Sequence, residues 1–263
     1  MKPLKTVTPG QLTIAASNFD ARPMSYLNSN GERLGYEPTL ARIVCDRLGI
    51  NPVWHNLPMA DFYAALQTDQ YDCVWFNQAI TPQRSALVNF TRPYGLFDEA
   101  VLVRAESSVQ SPEDLAGLRV GGLADSTNIA LAAGFSGVET VPFPGSDKVL
   151  PEMLEALRQG EIDALIDDEL VLIVAAEDDP NLRLAFSVPT QVPFAIATAK
   201  HNTELMAALN KTLDTLIADG TVAQLWQQWI PWKRFPWESV DYHQLSTMNN
   251  RQKTSKSEGT LFN

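Results

Sequence analysis

Three polar clusters in this sequence carry side chains suited to holding a small solute that bears both a carboxylate and an ammonium group. They are residues 77–84, which end in Arg84, the pair Ser126–Thr127, and Asp168. A guanidinium offers a planar fork to a carboxylate. Hydroxyl groups and free backbone N–H groups at a helix start favour the same anion, and an Asp carboxylate accepts ammonium hydrogens. The three clusters together predict a site for an amino-acid-like ligand.

Each cluster directly follows a predicted strand. Apolar and β-branched patterns predict strands over 71–76, 118–123 and 162–166. In open α/β sheets, ligands bind beyond the carboxyl ends of the strands. We therefore expect the three clusters to meet in one cleft.

The remaining elements alternate between strand and helix patterns, which predicts parallel βαβ units. Residues 65–74 and 156–165 share one order: a helix end, a tight turn, and a strand that carries an Asp before an apolar residue. This internal similarity indicates two related α/β lobes in one chain. Further strands are predicted over 12–16, 52–56 and 188–193, and helices over 37–48, 60–67, 111–116, 153–158, 205–216 and 221–229.

Composition excludes several classes of protein. The 263 residues, 45% hydrophobic and 19% charged, suffice for one large or two smaller domains with a core. Thirty-one Asp and Glu against 20 Lys and Arg give a net charge of −11, which argues against a nucleic-acid partner. The longest apolar run, residues 170–176, is far shorter than the ~20 residues of a membrane helix.

Motifs of common enzymes and metal sites are missing from the sequence. It has three histidines without neighbouring ligands and no HExxH, GxSxG, GxxxxGK or GxGxxG pattern. We therefore expect no metal and no cofactor. Cys45 and Cys73 are interpreted as buried small residues, or as one bridge if they lie close together. Residues 167–169, which read Asp-Asp-Glu, could be a catalytic carboxylate group or a helix cap.

Several segments resemble one known family. Residues 79–84 read AITPQR and residues 88–94 read VNFTRPY; Gly35-Tyr36-Glu37 precedes a helix, SPEDLAGLRVG fills 111–121, and ADGT at 218–221 is followed by Trp229. Over roughly 11–232 the chain resembles the periplasmic amino-acid-binding proteins of ABC importers, solute-binding family 3.

The resemblance implies a type II periplasmic binding fold. Two α/β lobes, each a mainly parallel sheet flanked by helices, would be joined by two hinge strands and would close on the ligand like a Venus flytrap. We expect an extension at 1–10, a first lobe from 11–97 plus 193–238, a second lobe from 98–192, and a disordered tail at 239–263.

The resemblance also assigns roles in the site. Arg84 would pair with the α-carboxylate, Thr127 with Ser126 beside it would donate to the same group, and Asp168 would take the α-ammonium. Ala21 and Met59 stand where the family has aromatic residues. These departures keep the groups that hold an α-amino acid, leave the pocket for the ligand side chain undefined, and also allow a ligand that is not an amino acid. The complete predicted ligand-binding set is Arg84, Thr127, Asp168, Ser126, Asn77, Ala79, Phe19 and Phe76.

The leading hypothesis is a monomeric solute-binding protein that captures a polar amino acid for ABC-type uptake. It would be periplasmic and would meet an ABC permease. The N-terminus shows no export signal, so a mature exported form and a cytoplasmic ligand sensor both stay open. Another alternative is an enzyme like the cyclohexadienyl or arogenate dehydratases, with Glu169 or Asp168 as general acid. The acidic residues favour a basic ligand side chain, whereas Asn77 and Gln78 favour an amide or acid.

Overall fold

The computed structural model describes residues 4–238 and contains two five-stranded sheets with helices packed on them. The strands are β1 Gln11–Ala16, β2 Tyr26–Leu27, β3 Arg33–Leu34, β4 Asn51–Asn56, β5 Cys73–Val74, β6 Asn89–Phe90, β7 Gly95–Arg104, β8 Arg119–Leu123, β9 Glu139–Phe143, β10 Ala164–Asp168, β11 Leu182–Phe194 and β12 Ala197–Thr198. The α-helices are α1 Tyr36–Leu48, α2 Phe62–Ala65, α3 Pro82–Leu87, α4 Thr127–Ala132, α5 Val149–Gln159, α6 Glu169–Asp178, α7 Thr203–Ala218 and α8 Thr221–Trp229.

The two-lobe α/β architecture is confirmed. The sheet of lobe 1 has the order β4-β1-β5-β12-β6, and the sheet of lobe 2 has the order β11-β7-β10-β8-β9. Each sheet contains both parallel and antiparallel pairs. The sheets are therefore mixed, where the sequence predicted mainly parallel ones. The antiparallel pairs involve β7, β11 and β12, the strands through which the chain passes from lobe 1 to lobe 2 and returns. A βαβ pattern in the sequence does not predict such a return.

Helix packing in lobe 1 follows the helical spacing of apolar residues. Leu205, Leu209, Leu213 and Leu216 of α7 recur every three or four residues and are fully buried. They share one core with α1 and with Trp226 of α8. This core fixes the back of the lobe 1 sheet and leaves the carboxyl ends of its strands facing lobe 2.

Two long strands connect the lobes. β7 and β11 pair antiparallel from Gly95↔Phe194 to Arg104↔Leu182, with a register shift between Val188 and Val192. A Cβ atom on Gly95 would lie 2.1 Å from Cζ of Phe194. Glycine is thus required where the two hinge strands leave lobe 1.

Some predicted elements differ in extent or type. The strand predicted over 71–76 is only β5, residues 73–74. Just before it, the Asp72 carboxylate accepts a hydrogen bond from the Thr13 N–H at 2.7 Å. The helix predicted at Ser111 is a 3-10 turn, Pro112–Leu115, although its capping box with Asp114 is present. Cys45 and Cys73 are buried and unbridged. The predicted tail at 239–263 lies outside the described residues.

No helix within residues 4–238 combines the length and the apolar character needed to cross a bilayer.

Candidate functional site

A cleft of about 660 Å³ separates the carboxyl-terminal strand ends of the two lobes. Every residue of the predicted ligand-binding set lines it: Phe19, Phe76, Asn77, Ala79 and Arg84 from lobe 1, and Ser126, Thr127 and Asp168 from lobe 2. Arg84 and Asp168 therefore share one cavity, with no wall of packed side chains between them. What each of these residues binds stays a prediction.

Arg84 is held by the helix that carries it. Thr81 caps α3, and its Oγ1 accepts a hydrogen bond from the Arg84 N–H at 3.1 Å, while Pro82 begins the helix. The guanidinium donates through Nη1 to the Ala79 carbonyl at 3.3 Å and lies 5.9 Å from the centre of the Tyr63 ring. The ITPQR sequence thus presents a half-buried cation to the cleft in one orientation.

The chain just before α3 is anchored by a buried carboxylate. Asn77 has a left-handed backbone with φ 45°, and its N–H donates to both Glu37 carboxylate oxygens, at 3.0 and 3.1 Å. The Tyr94 hydroxyl also donates to Glu37. Burial raises the pKa of Glu37 to about 7, against the opposing hydrogen bonds. The Asn77 Oδ1 atom is buried and accepts no hydrogen bond from the described protein atoms.

The hydroxyl groups at the start of α4 are partly used within lobe 2. Ser126 Oγ accepts from the Ile129 N–H at 3.1 Å and donates to the Leu123 carbonyl at 2.7 Å. Its hydrogen is therefore engaged within lobe 2. Thr127 Oγ1 donates to Asn128 Oδ1 at 2.9 Å, a side-chain contact at the rim of the cleft.

The acidic end of the cleft is crowded with carboxylates. The Asn128 amide donates to Asp167 Oδ1 at 2.9 Å and to Asp168 Oδ1 at 3.3 Å. Glu99 lies opposite Asp168 in the β7–β10 register. Burial, and then the Asp167 and Glu99 charges, raise the pKa of Asp168 well above its usual range, against the opposing effect of Arg84.

The two neighbours of Asp168 shift in the same direction. Burial raises the pKa of Asp167 to about 6 and that of Glu99 to about 7. Asp168 precedes α6 without a side-chain capping hydrogen bond. Its carboxylate therefore has no structural role as a cap in this helix, which leaves it available to a cation in the cleft.

Aromatic rings form the lobe 1 wall. Phe76 packs edge-to-face against Phe19 at 6.1 Å and against Phe62 at 6.2 Å, measured between ring centres. Met59 also lines the cleft, whereas Ala21 is fully buried. Phe19 and Phe76 thus supply the apolar face of the cleft, and Ala21 is not among the described residues that line it.

The lobes touch at the mouth of the cleft. Asp147 of lobe 2 accepts hydrogen bonds from Ser17 Oγ and Asn56 Nδ2 of lobe 1, both at 2.8 Å. Arg22 and Asp178 form a second contact between the lobes, at 2.9 Å. These contacts hold the two strand ends face to face around the cleft.

Glu169, the other candidate for a general acid, points elsewhere. Its carboxylate pairs with Lys233, and among the described residues the cleft lining includes Asp168 but not Glu169. No group of three or more His, Cys, Asp and Glu side chains within residues 4–238 is arranged to hold a metal ion.

Several residues of the site were not in the predicted set. Asn128 and Asp125 line the cleft beside Ser126, and Tyr63 lines it beside Arg84. The position of Asn128 in the first turn of α4 is a signal that could have identified it. Glu37 was noted only as part of the Gly35-Tyr36-Glu37 motif, without a role in the site. Glu99 approaches Asp168 through the β7–β10 pairing, and no local pattern points to it.

Comparisons with known proteins identify the family of the chain and proteins of similar fold. The family model for bacterial extracellular solute-binding proteins, family 3, matches residues 12–231. A probable amino-acid ABC transporter-binding protein of Haemophilus influenzae is 25% identical over 210 residues, which cover 79% of this chain and 80% of that protein. ABC transporter arginine-binding protein 1 of Escherichia coli is 26% identical, with 80% and 86% covered. A solved structure of an ancestral arginine-binding protein bound to arginine has a TM-score of 0.77 and 26% identity, covering 84% and 98% of the two chains.

Proposed function

The chain belongs to the bacterial extracellular solute-binding proteins of family 3, and from this membership we propose that it captures a free amino acid between its lobes for ABC-type uptake. It is a binding protein rather than an enzyme, as are the relatives described above. The observation that carries the proposal is the placement of Arg84 and Asp168 in one cleft, on opposite lobes.

Each end of an α-amino acid has a matching group. The Arg84 guanidinium faces the α-carboxylate, and the Thr127 hydroxyl donates to the same group after turning away from Asn128 Oδ1. The Asp168 carboxylate accepts from the α-ammonium, and the buried Asn77 Oδ1, which has no described partner, accepts another ligand hydrogen. Since both lobes contribute, the full set of contacts forms only when the lobes are closed.

The charges of the cleft favour a cationic ligand side chain. The lining residues include one cation, Arg84, against the three carboxylates of Asp125, Asp167 and Asp168. An α-amino acid neutralises Arg84 and one carboxylate, and two carboxylates then remain. A guanidinium or a second ammonium at the end of the ligand would offset them, so L-arginine is the first ligand to test.

Delivery and location follow from the same proposal. The protein would act in the periplasm and hand its ligand to an ABC permease as a monomer. Residues 11–97 with 193–238, and residues 98–192, would move as two bodies about β7 and β11. Closure would then form the Asp147 contacts at the mouth of the cleft.

The proposal is tested by isothermal titration with L-arginine, L-lysine, L-histidine, L-glutamine and L-glutamate. We expect the cationic amino acids to bind more tightly than glutamine, and glutamate to bind most weakly. A ligand at ~100 times its dissociation constant should stabilise the fold by ~2.7 kcal/mol, which a thermal-shift assay detects. Absence of binding by all common amino acids at millimolar concentration would refute the proposed function.

A further inference from the structure

One lysine near the end of the described chain contacts both lobes at the hinge. The Lys233 ammonium lies 2.8 Å from Asp98 Oδ2 and also pairs with the Glu169 carboxylate. The three side chains expose only 15% to 25% of their surface. Ion pairs at this burial are screened less than surface pairs, so the contact is expected to hold its members firmly.

The backbone of Lys233 belongs to lobe 1. Its N–H donates to the Ile230 carbonyl at 3.2 Å, and its carbonyl accepts from Trp226 Nε1 at 2.8 Å. The Phe235 ring packs 5.8 Å from the Trp226 ring, measured between ring centres. Ile230 and Trp226 are both fully buried in the lobe 1 core. The segment that carries Lys233 is therefore fixed to lobe 1.

The two partners of Lys233 belong to the hinge and to lobe 2. Asp98 lies in β7, and its other oxygen accepts from the Gln191 N–H of β11 at 2.9 Å, where Gln191 adopts φ 50°. Glu169 is the first residue of α6 and directly follows Asp168. One ammonium thus connects lobe 1, both hinge strands and the start of α6.

We propose that Lys233 is a positioning residue for the ammonium end of the cleft: it fixes the first turn of α6 and thereby holds Asp168 toward the ligand. Without Lys233, the carboxylates of Asp98 and Glu169 would repel each other and the neighbouring Asp168. The inference rests on the proposed function. Lys233 lies beyond residues 12–231, which match the family model, so the family match does not account for it.

Hydrogen exchange tests the positioning without any ligand. In Lys233→Met we expect the amides of residues 172–175, whose hydrogen bonds close the first turns of α6, to exchange about tenfold faster than in the wild-type protein, with the central strands of lobe 2 unchanged. Lys233→Arg keeps the charge and should restore slow exchange. Lys211→Met is the matched control, because Lys211 is an exposed residue of α7 and its loss removes the same charge from the same lobe.

Binding of L-arginine supplies the second measurement. We expect Lys233→Met and Glu169→Gln each to weaken binding about tenfold. The double variant should bind no more weakly than Lys233→Met, because both substitutions remove the same Lys233–Glu169 contact. If Lys233→Met does not fold, Glu169→Gln alone carries both measurements. Wild-type exchange at residues 172–175, together with arginine affinity within about twofold of wild type, would overturn the proposal.

Failure of the proposed function gives a different result. If the wild-type protein does not bind L-arginine, the proposal of a cationic ligand is wrong. The exchange measurement uses no ligand and still decides the role of Lys233. Faster exchange confined to the start of α6 then supports the positioning role, and unchanged exchange refutes it.

Discussion

The two walls of the cleft differ in charge and in the way their side chains are held. The lobe 1 wall is aromatic with one cation, whereas the lobe 2 wall carries three carboxylates. Arg84 is oriented by Thr81, three residues away, so its position is set locally. Asp168 is surrounded by Asp167, Glu99 and Asn128 from three different elements, so its environment is set by tertiary structure.

This difference separates the two tasks of recognition. Under the proposed function, the lobe 1 wall would offer a preformed site for the α-carboxylate that every α-amino acid carries. In the lobe 2 wall, several carboxyl groups lie close together, and ionising them costs free energy because like charges repel. A bound cation would offset this repulsion. We therefore expect lobe 1 to set the common affinity for amino acids, and lobe 2 to set the preference among their side chains.

The largest expected effect comes from removing the cation of lobe 1. Arg84→Ala should weaken L-arginine binding at least about hundredfold, because a buried ligand carboxylate would lose its charged partner. Titration calorimetry measures the loss. Arg47→Ala is the control, since Arg47 forms only an exposed 3.8 Å pair with Asp219. Similar affinities for the two variants would contradict the assignment of lobe 1 to the carboxylate.

Asp168→Asn should act in opposite directions on binding and on stability. Loss of the carboxylate should weaken L-arginine binding about thirtyfold. The same change removes a carboxylate whose pKa is raised well above its usual range by burial and by neighbouring charges, so the free protein should melt at a higher temperature.

Asp163→Asn is the matched control for that prediction. Asp163 lies in the same lobe, but the Arg119 guanidinium, which bonds its carboxylate at 3.0 Å, lowers its pKa. Its replacement should therefore lower the melting temperature and leave arginine affinity unchanged. If the melting temperatures of Asp168→Asn and Asp163→Asn shift in the same direction, the repulsion proposed between Asp168 and its neighbouring carboxylates does not destabilise the free protein.

Local patterns in the sequence predicted the parts of the site that depend on neighbouring residues. The Ser126–Thr127 pair predicted a helix start, and α4 begins there and lines the cleft. The residues 79–84 were noted for their motif, but the helix that begins at Pro82 was not predicted. The rule that ligands lie at strand ends then brought Asp168 to the same place. The fold class followed from the alternation of strands and helices and from the resemblance of motifs to a family.

Residues that reach the site through distant contacts were not predictable. Glu99 meets Asp168 only because β7 and β10 pair in one particular register. Lys233 reaches Glu169 across 64 positions of the chain. Antiparallel returns and hinge contacts leave no periodic pattern, so the sequence indicated neither the mixed sheets nor the crowding of carboxylates behind Asp168.

A smaller effect is expected from Asp125, which lines the cleft but is exposed. Asp125→Asn should weaken L-arginine about threefold and leave L-glutamine unchanged, since an exposed charge pair contributes 1 kcal/mol or less, roughly. The ratio of the two dissociation constants, measured by calorimetry, reports this selectivity. An equal loss of affinity for both ligands would show that Asp125 contributes to the affinity for all amino acids. That result would contradict the division of roles between the two walls.

The smallest effect is a pH dependence with opposite signs for folding and for binding. Three carboxyl groups have raised pKa values: about 7 for Glu37 and Glu99, and about 6 for Asp167. In the folded state they keep protons that ordinary carboxyl groups lose near pH 4.5, roughly. The unfolded chain binds fewer protons in that interval, so stability should fall as pH rises toward 7. Glu37→Gln should flatten this decline, which a thermal-shift series measures.

Binding should change with pH in the other direction. A ligand ammonium favours the ionised form of Asp168 and its neighbour Asp167, so binding lowers their pKa values and releases protons. Arginine affinity should therefore rise between pH 5 and 7, about where Asp167 titrates. Calorimetry in buffers of different ionisation enthalpy counts the released protons. Uptake of protons on binding would mean that the acidic wall does not hold the ammonium, because only a cation next to these carboxylates drives their protons off.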